Sequence, residues 1–137
     1  MRMAIIDLNK FNITTLSDFI VQQIRYDAIA VSLYCCVKLA KQLGIKYIFL
    51  FGSSAEGTAL YDSDIDILLL TDGSFRHSYI SDLLEDIIEL ELPKGSPAVE
   101  IVCRKLDTFI DTDSDLTGFN ASVMRTMKLL WRCSDGI

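Results

Sequence analysis

The sequence predicts an α/β (α+β) fold in which helices flank a small β-sheet, and three observations support this class. Half of the 137 residues are hydrophobic, which at this length is typical of one compact domain rather than two. Apolar residues recur at three- and four-residue steps over residues 26–43, as in a helix that packs one face on a core. Short apolar runs bounded by turn residues predict strands elsewhere. We therefore expect residues 1–137 to form a single domain, with residues 1–12 as a loosely ordered leader.

The first half of the chain predicts two helical segments and then a strand. Hydroxyl and amide side chains at residues 12–17 can cap a helix over residues 16–25. The second segment, residues 26–43, ends at Gly44, which has the conformational freedom that a helix C-cap needs. The apolar run at residues 46–51 follows directly and predicts a strand.

The second half predicts two further strands and two further helices. The run at residues 65–70 predicts a strand that ends at a polar turn. A helix with an apolar stripe and a solvated acidic face is expected from Ser78 to about Leu92. Residues 93–97 contain two prolines and a glycine, and they form a connection to the β-rich run at residues 98–103. Residues 116–131 predict a final helix.

Composition and charge exclude several classes of protein. Thirteen basic and nineteen acidic residues give a net charge of -6 without any basic block, which disfavours an extended nucleic-acid-binding surface. The sequence contains neither a signal peptide pattern nor an apolar run of membrane-spanning length. The four cysteines have no metal-ligand spacing and are expected to be free thiols in a reducing cytosol. We therefore expect a cytoplasmic protein without a membrane partner.

Two aspartates at the start of the second strand carry the strongest chemical signal. Because side chains alternate between the two faces of a strand, Asp64 and Asp66 are expected on one surface, roughly 7 Å apart along the chain. Like charges at that distance raise each other's pKa unless a cation lies between them. Magnesium binds one or two carboxylates together with water and substrate phosphates, so the pair predicts a magnesium site.

The loop before this strand predicts a phosphate-binding element. The strand at residues 46–51 runs into Gly52 and Ser53, and Gly57 follows four residues after that serine. Glycine allows the backbone to approach a bulky ligand, and exposed backbone amides attract phosphate. The loop is not the common ATP-binding loop, because no lysine follows Gly57.

Gly52-Ser53, ten intervening residues and Asp64-Ile65-Asp66 form a pattern that resembles the signature of the DNA polymerase beta-like nucleotidyltransferase superfamily. The residues of this motif are most similar to those of the minimal, antitoxin-like nucleotidyltransferases. The resemblance covers about residues 47–72, with Glu100 added. It implies a small mixed β-sheet flanked by helices. It also implies magnesium-dependent transfer of a nucleoside monophosphate, with AMP from ATP expected, to a hydroxyl of a protein or small-molecule acceptor.

The resemblance also assigns roles to individual residues. Members of the superfamily hold two magnesium ions with three carboxylates, the third of which usually lies on a later, neighbouring strand. Glu100 is the only acid in the β-rich run at residues 98–103, so it receives the third role. The implied catalytic and metal-binding residues are Asp64, Asp66 and Glu100, and the implied nucleotide-binding residues are Gly52, Ser53, Gly57 and Ser63.

The sequence leaves two interpretations of this site open. Minimal nucleotidyltransferases commonly carry a basic residue between the serine and the second glycine, where this chain has Glu56. A negative charge there disfavours binding of a triphosphate. In the first interpretation the protein is an active enzyme, and the resemblance suggests a helical HEPN-type toxin as its protein partner. The alternative is a weakly active or inactive binding subunit that masks or regulates a partner. The sequence leaves homo-oligomerisation open.

Overall fold

The computed structural model describes residues 16–57, 59, 63–110 and 126–134. In chain order its elements are α1 Leu16–Leu43, β1 Ile45–Phe51, α2 Gly52–Glu56, β2 Ile65–Thr71, α3 His77–Glu91, β3 Val99–Lys105, α4 Leu106–Ile110 and β4 Lys128–Arg132. The predicted α/β (α+β) class is confirmed. The expected leader at residues 1–12 lies outside the described residues, and a single domain over residues 1–137 stays a prediction.

The four strands form one mixed sheet in the order β3-β2-β1-β4. β2 and β3 are parallel, as expected of two strands joined through a helix, whereas β1 is antiparallel to both β2 and β4. Phe51 at the end of β1 is paired with Asp66 of β2, and Asp66 is paired with Glu100 of β3. The end of β1 and the starts of β2 and β3 therefore lie side by side at the same end of the strands.

Helix α1 is one continuous helix of 28 residues, although the sequence predicts two segments that meet at residues 25 and 26. Neither proline nor glycine interrupts residues 16–43, so nothing breaks the hydrogen-bonded ladder there. The predicted end of the helix is confirmed, because Gly44 follows it with a φ of 70°. The helix thus crosses the sheet as a single long element.

The core lies on both faces of the sheet, and β2 supplies both sides. Ile65, Ile67 and Leu69 join the larger cluster, which includes buried residues of α1 and α3. Leu68 and Leu70 join a smaller cluster with Phe51 and Phe109. Since side chains alternate along a strand, Asp66 shares the face of Leu68 and Leu70. The site thus lies at the end of a strand that is fixed by packing on both sides.

Truncation of Leu69 is expected to destabilise the protein strongly. Leu69 is completely buried, so Leu69→Ala should lower the free energy of unfolding by about 2–5 kcal/mol, through lost burial and a residual cavity. Leu90→Ala is the matched control because Leu90 is 85% exposed, and it should change stability by less than about 0.5 kcal/mol. Urea unfolding monitored by circular dichroism measures both. Equal losses in the two variants would contradict this description of the core.

The predicted final helix is wrong over residues 128–131, which form a strand, although Thr126 is helical. Residues 128–131 belong to β4, which pairs with β1 through Leu50 and Lys128 at one end and Tyr47 and Arg132 at the other. Leu130 and Trp131 of this strand pack against the main core cluster. Pairing with the edge of β1 therefore overrides the local helical pattern. Residues 116–125 of the predicted helix lie outside the described residues.

Helix α3 also protects the edge of the sheet at β3. The backbone N–H of Ile101 donates a 2.8 Å hydrogen bond to the carboxylate of Glu85. This amide belongs to the strand that ends the sheet order, so a side chain of α3 occupies a donor that a further strand would use.

The cysteines are free thiols, and three of them, Cys35, Cys36 and Cys103, are buried. Burial raises the pKa of Cys36 to about 12, which keeps that thiol protonated and unreactive. Three of the four thiols therefore lie in the core, and the fourth, Cys133, is partly exposed. In the described part of the chain, no helix combines the length and apolar character that crossing a bilayer requires.

Candidate functional site

The candidate site lies where the end of β1 meets the starts of β2 and β3. Asp66 and Glu100 are paired across the parallel strands, and their side chains share a hydrogen bond. Asp64 is exposed and lies immediately before β2, and its charge acts on Asp66. The structure therefore brings together the carboxylates of Asp66 and Glu100, with Asp64 beside them.

The crowding of these carboxylates changes the acidity of Asp66. Its pKa is raised from 3.8 to about 6, first by burial and then by the negative charges of Glu100 and Asp64 and by the hydrogen bond with Glu100. The positive charge of Arg25 acts in the opposite direction. A carboxyl pair that retains a proton near pH 6 is a site where a cation would relieve repulsion.

This raised pKa predicts how the stability of the metal-free protein depends on pH. Because the pKa of Asp66 is raised in the folded state, its contribution to stability is fully present below pH 3.8 and is lost as the pH rises through about 6. Asp66→Asn removes the titration, so the variant should gain stability relative to wild type between pH 4 and pH 7. Thermal unfolding in EDTA across this range measures the difference. A constant difference would contradict the expected titration.

Gly52 places the loop backbone directly against Asp66. Its φ is 71°, a value that side chains other than glycine rarely adopt. A Cβ atom at this position would lie 2.6 Å from Oδ2 of Asp66, which is far inside van der Waals contact. Two independent constraints therefore require glycine here, and both arise from the close approach of the loop to the carboxylate.

The other predicted nucleotide-binding residues surround this contact. Ser53 is half-buried in α2, and its carbonyl accepts a hydrogen bond from the backbone N–H of Gly57, which has a φ of 76°. The carbonyl of Ser63 accepts a hydrogen bond within the site. Glu56 is exposed at the end of α2. The predicted residues thus lie on the connection between β1 and β2, at its start in α2 and at its end just before β2.

The sequence analysis missed Arg25, which the structure places beside the site. Arg25 lies on α1 and is only 1% exposed. Its Nη1 donates to Oγ of Ser54 at 3.2 Å, and its Nη2 donates to the carbonyl of Ser63 at 2.7 Å. The signal was available, because Arg25 continues the helical stripe of Ala28, Ser32 and Cys36, all of which are buried. A basic residue in such a stripe needs polar partners in the fold.

The donor set fits magnesium only in part. Carboxylate oxygens are the ligands that magnesium prefers, and it commonly uses one or two of them together with water and substrate phosphates. Within residues 16–57, 59, 63–110 and 126–134, no three Asp, Glu, His or Cys side chains are arranged to hold a metal ion by themselves. The Asp66–Glu100 pair, with Asp64 beside it, therefore suits a site that substrate phosphates complete rather than a closed protein cage.

A mixed sheet that holds two carboxylates opposite a Gly-Ser turn defines the polymerase beta-like class of nucleotidyltransferases. The family model described as "Nucleotidyltransferase domain" matches residues 36–125. The chain belongs to this family, and the resemblance seen in its motif is confirmed. No curated protein matches the chain significantly.

Eleven chains of solved structures match this chain, among them the following two. One is a Sulfolobus solfataricus protein assigned as a nucleotidyltransferase, with a crystal structure at 1.40 Å resolution. It is 16% identical, with a TM-score of 0.50 over 84% of this chain and 89% of that protein, and it supports the fold alone. The other is a toxin-antitoxin crystal structure with AMP-PNP, which is 21% identical, with a TM-score of 0.47 over 75% of each chain.

Proposed function

We propose that this protein is a magnesium-dependent nucleotidyltransferase that moves a nucleoside monophosphate from a nucleoside triphosphate to a hydroxyl acceptor. The observation that carries the proposal is the pairing of Asp66 with Glu100 across β2 and β3, with the backbone of Gly52 lying against Asp66. AMP, supplied by ATP, is the expected nucleotide. The chemistry requires charge neutralisation and positioning, which a rigid strand pair and a close-lying loop suit.

Each residue of the site has a distinct part in this proposal. Asp64 and Asp66, with Glu100, would hold magnesium, which when bound would neutralise the triphosphate and lower the pKa of the acceptor hydroxyl. Glu100, paired with Asp66, is placed to accept the proton of that hydroxyl. Gly52, Ser53, Gly57 and Ser63 would bind the departing phosphates through backbone and hydroxyl groups.

The direct test is nucleotide transfer by the purified protein. Wild type is incubated with magnesium and each of the four nucleoside triphosphates, labelled at the α-phosphate, in the presence of candidate acceptors. Covalent label on an acceptor, lost in Asp64→Asn and in Glu100→Gln, is the expected result. Transfer that persists in both variants would overturn the assignment of these carboxylates.

We propose a protein as the acceptor, and a helical HEPN-type toxin as the partner that the motif of the minimal nucleotidyltransferases favours. A cytoplasmic location belongs to the same proposal, and the free thiols agree with it. Co-expression with a small helical protein encoded beside this chain, followed by intact-mass measurement of that protein, tests the acceptor. A mass increase of one nucleoside monophosphate is expected, and an unmodified partner would point to a different acceptor.

A binding subunit without turnover is the second candidate function. One observation favours it: Glu56 adds negative charge at the end of α2, where the minimal nucleotidyltransferases commonly carry a basic residue. The two functions differ in their dependence on the carboxylates. If wild type, Asp64→Asn and Glu100→Gln bind and inhibit a partner equally while none transfers a nucleotide, the binding function is correct.

A further inference from the structure

We propose that Arg25 is a positioning residue of this site, whose guanidinium joins the two ends of the β1–β2 connection and thereby holds the carboxylates for substrate. The inference rests on the proposed function and extends it to helix α1, which lies outside the family motif. In this proposal Arg25 does not contact the nucleotide directly. Its action passes through Ser54 on one side and Ser63 on the other.

The geometry of the hydrogen bonds supports a bridging role. One nitrogen of the guanidinium binds the side chain of Ser54 in α2, and another binds the backbone of Ser63 just before β2. Ser54 is separated from Gly52, which lies against Asp66, by a single residue, and Ser63 directly precedes Asp64. The planar fork of arginine can serve two acceptors at once in fixed geometry, whereas a lysine ammonium lacks that fork. Arg25 therefore sets the distance between the loop and the carboxylates.

The charge of Arg25 supports the same role. Its side chain is buried, and burial lowers its pKa while the charges of Asp64 and Asp66 raise it. A buried guanidinium is costly unless polar and charged groups surround it. The residues that compensate this cost are the residues of the site. Its positive charge also opposes the crowding of negative charge at Asp66.

A second buried polar side chain lies on the same face of α1. Gln22 precedes Arg25 by three residues, so the two lie on one side of the helix. It is 8% exposed, and its Oε1 accepts no hydrogen bond from the described residues. Buried polar side chains thus lie at two positions of the α1 turn that also carries the contacts to Ser54 and Ser63.

The test compares three variants with a matched control. Arg25→Lys keeps the charge and loses the fork, Arg25→Met loses both, and Ser54→Ala removes one acceptor. Arg76→Met is the control, because Arg76 is exposed at the start of α3. Residues that fix the orientation of metal-binding side chains typically change activity by about 10- to 100-fold when they are replaced. We therefore expect kcat/KM for nucleotide transfer to fall about 10-fold in Arg25→Lys and about 100-fold in Arg25→Met. Arg76→Met should match wild type.

A second measurement does not depend on activity. Amide hydrogen exchange of the metal-free and nucleotide-free protein should show lost protection confined to α2 and to residues 63–66 in the Arg25 variants and in Ser54→Ala. In a further variant, Arg25→Ala, which leaves space for the free ion, guanidinium chloride well below its denaturing range should restore part of that protection, whereas sodium chloride at equal ionic strength should not. A purely structural role would lower protection throughout α1 and the sheet instead.

The outcomes separate this inference from the proposed function. If wild type transfers no nucleotide, the proposed function fails, and hydrogen exchange still decides the role of Arg25. If wild type is active while folded Arg25→Lys and Arg25→Met retain kcat/KM within twofold, the inference is overturned. Should Arg25→Met not fold, Ser54→Ala and Arg25→Lys decide. Protection lost uniformly, or not lost at all, in these two variants also overturns the inference.

Discussion

Replacing Asp66 by asparagine is expected to lower the rate of nucleotide transfer by about a thousandfold or more, while the protein stays folded. Asp66 is the carboxylate on which the site converges, since it pairs with Glu100, feels the charge of Asp64 and lies against Gly52. Loss of one charged ligand removes several kcal/mol of transition-state stabilisation, and each 1.4 kcal/mol corresponds to a factor of about ten. Transfer of α-labelled nucleotide under saturating magnesium measures the effect.

The control for this variant is a second Asp→Asn replacement of equal charge change. Asp86 is exposed on α3 and is not among the charges that shift the pKa of Asp66, so Asp86→Asn should retain the wild-type rate. Circular dichroism confirms that both variants are folded at the assay temperature. A rate for Asp66→Asn within tenfold of wild type would show that the carboxyl pair does not carry the reaction.

Gly52→Ala is expected to abolish most of the activity and to destabilise the protein. The φ of 71° costs an alanine about 1–2 kcal/mol, and the new Cβ would also lie 2.6 Å from Oδ2 of Asp66. The side chain of Asp66 or the loop must therefore move, which separates the two halves of the site. Urea unfolding measures the stability, and nucleotide transfer at a temperature where the variant is folded measures the activity.

Gly95→Ala provides a control for the backbone strain alone. Gly95 has a φ of 91°, and a Cβ atom there would meet nothing within 4 Å. Both variants should therefore lose stability through strain, but only Gly52→Ala should lose activity. If Gly52→Ala and Gly95→Ala were equally active, the approach of the loop to Asp66 would have no functional importance.

Much of the fold follows from local pattern, and the exceptions have identifiable causes. The strands at β1, β2 and β3 and the helix α3 follow from periodicity and from turn residues such as Gly44 and Gly73, because these signals are contained in neighbouring residues. β4 could not be predicted in this way. Its residues become a strand through pairing with β1, which lies about 80 residues earlier in the sequence, and a tertiary contact of this kind leaves no local signal.

The candidate site likewise contains residues that the local sequence predicts and one residue that only tertiary packing brings to the site. Gly52, Ser53, Asp64 and Asp66 belong to one short motif whose spacing is visible in the sequence. Glu100 could be nominated because it is the only acid of its strand, and parallel register places it beside Asp66. Arg25 could not be nominated by motif, since its partners Ser54 and Ser63 are brought to it only by the packing of α1. Its buried helical position was the remaining clue.

The carboxylate of Glu85 on the amide of Ile101 has a consequence for how this protein behaves in concentrated solution. An acid that occupies the rim of a sheet deters an incoming peptide from extending that sheet, because the newcomer would have to displace a charged acceptor from a bond it already makes. We therefore expect this contact to disfavour fibril-like growth from the β3 side. Glu85→Ala should accordingly increase light scattering on prolonged storage without altering catalysis.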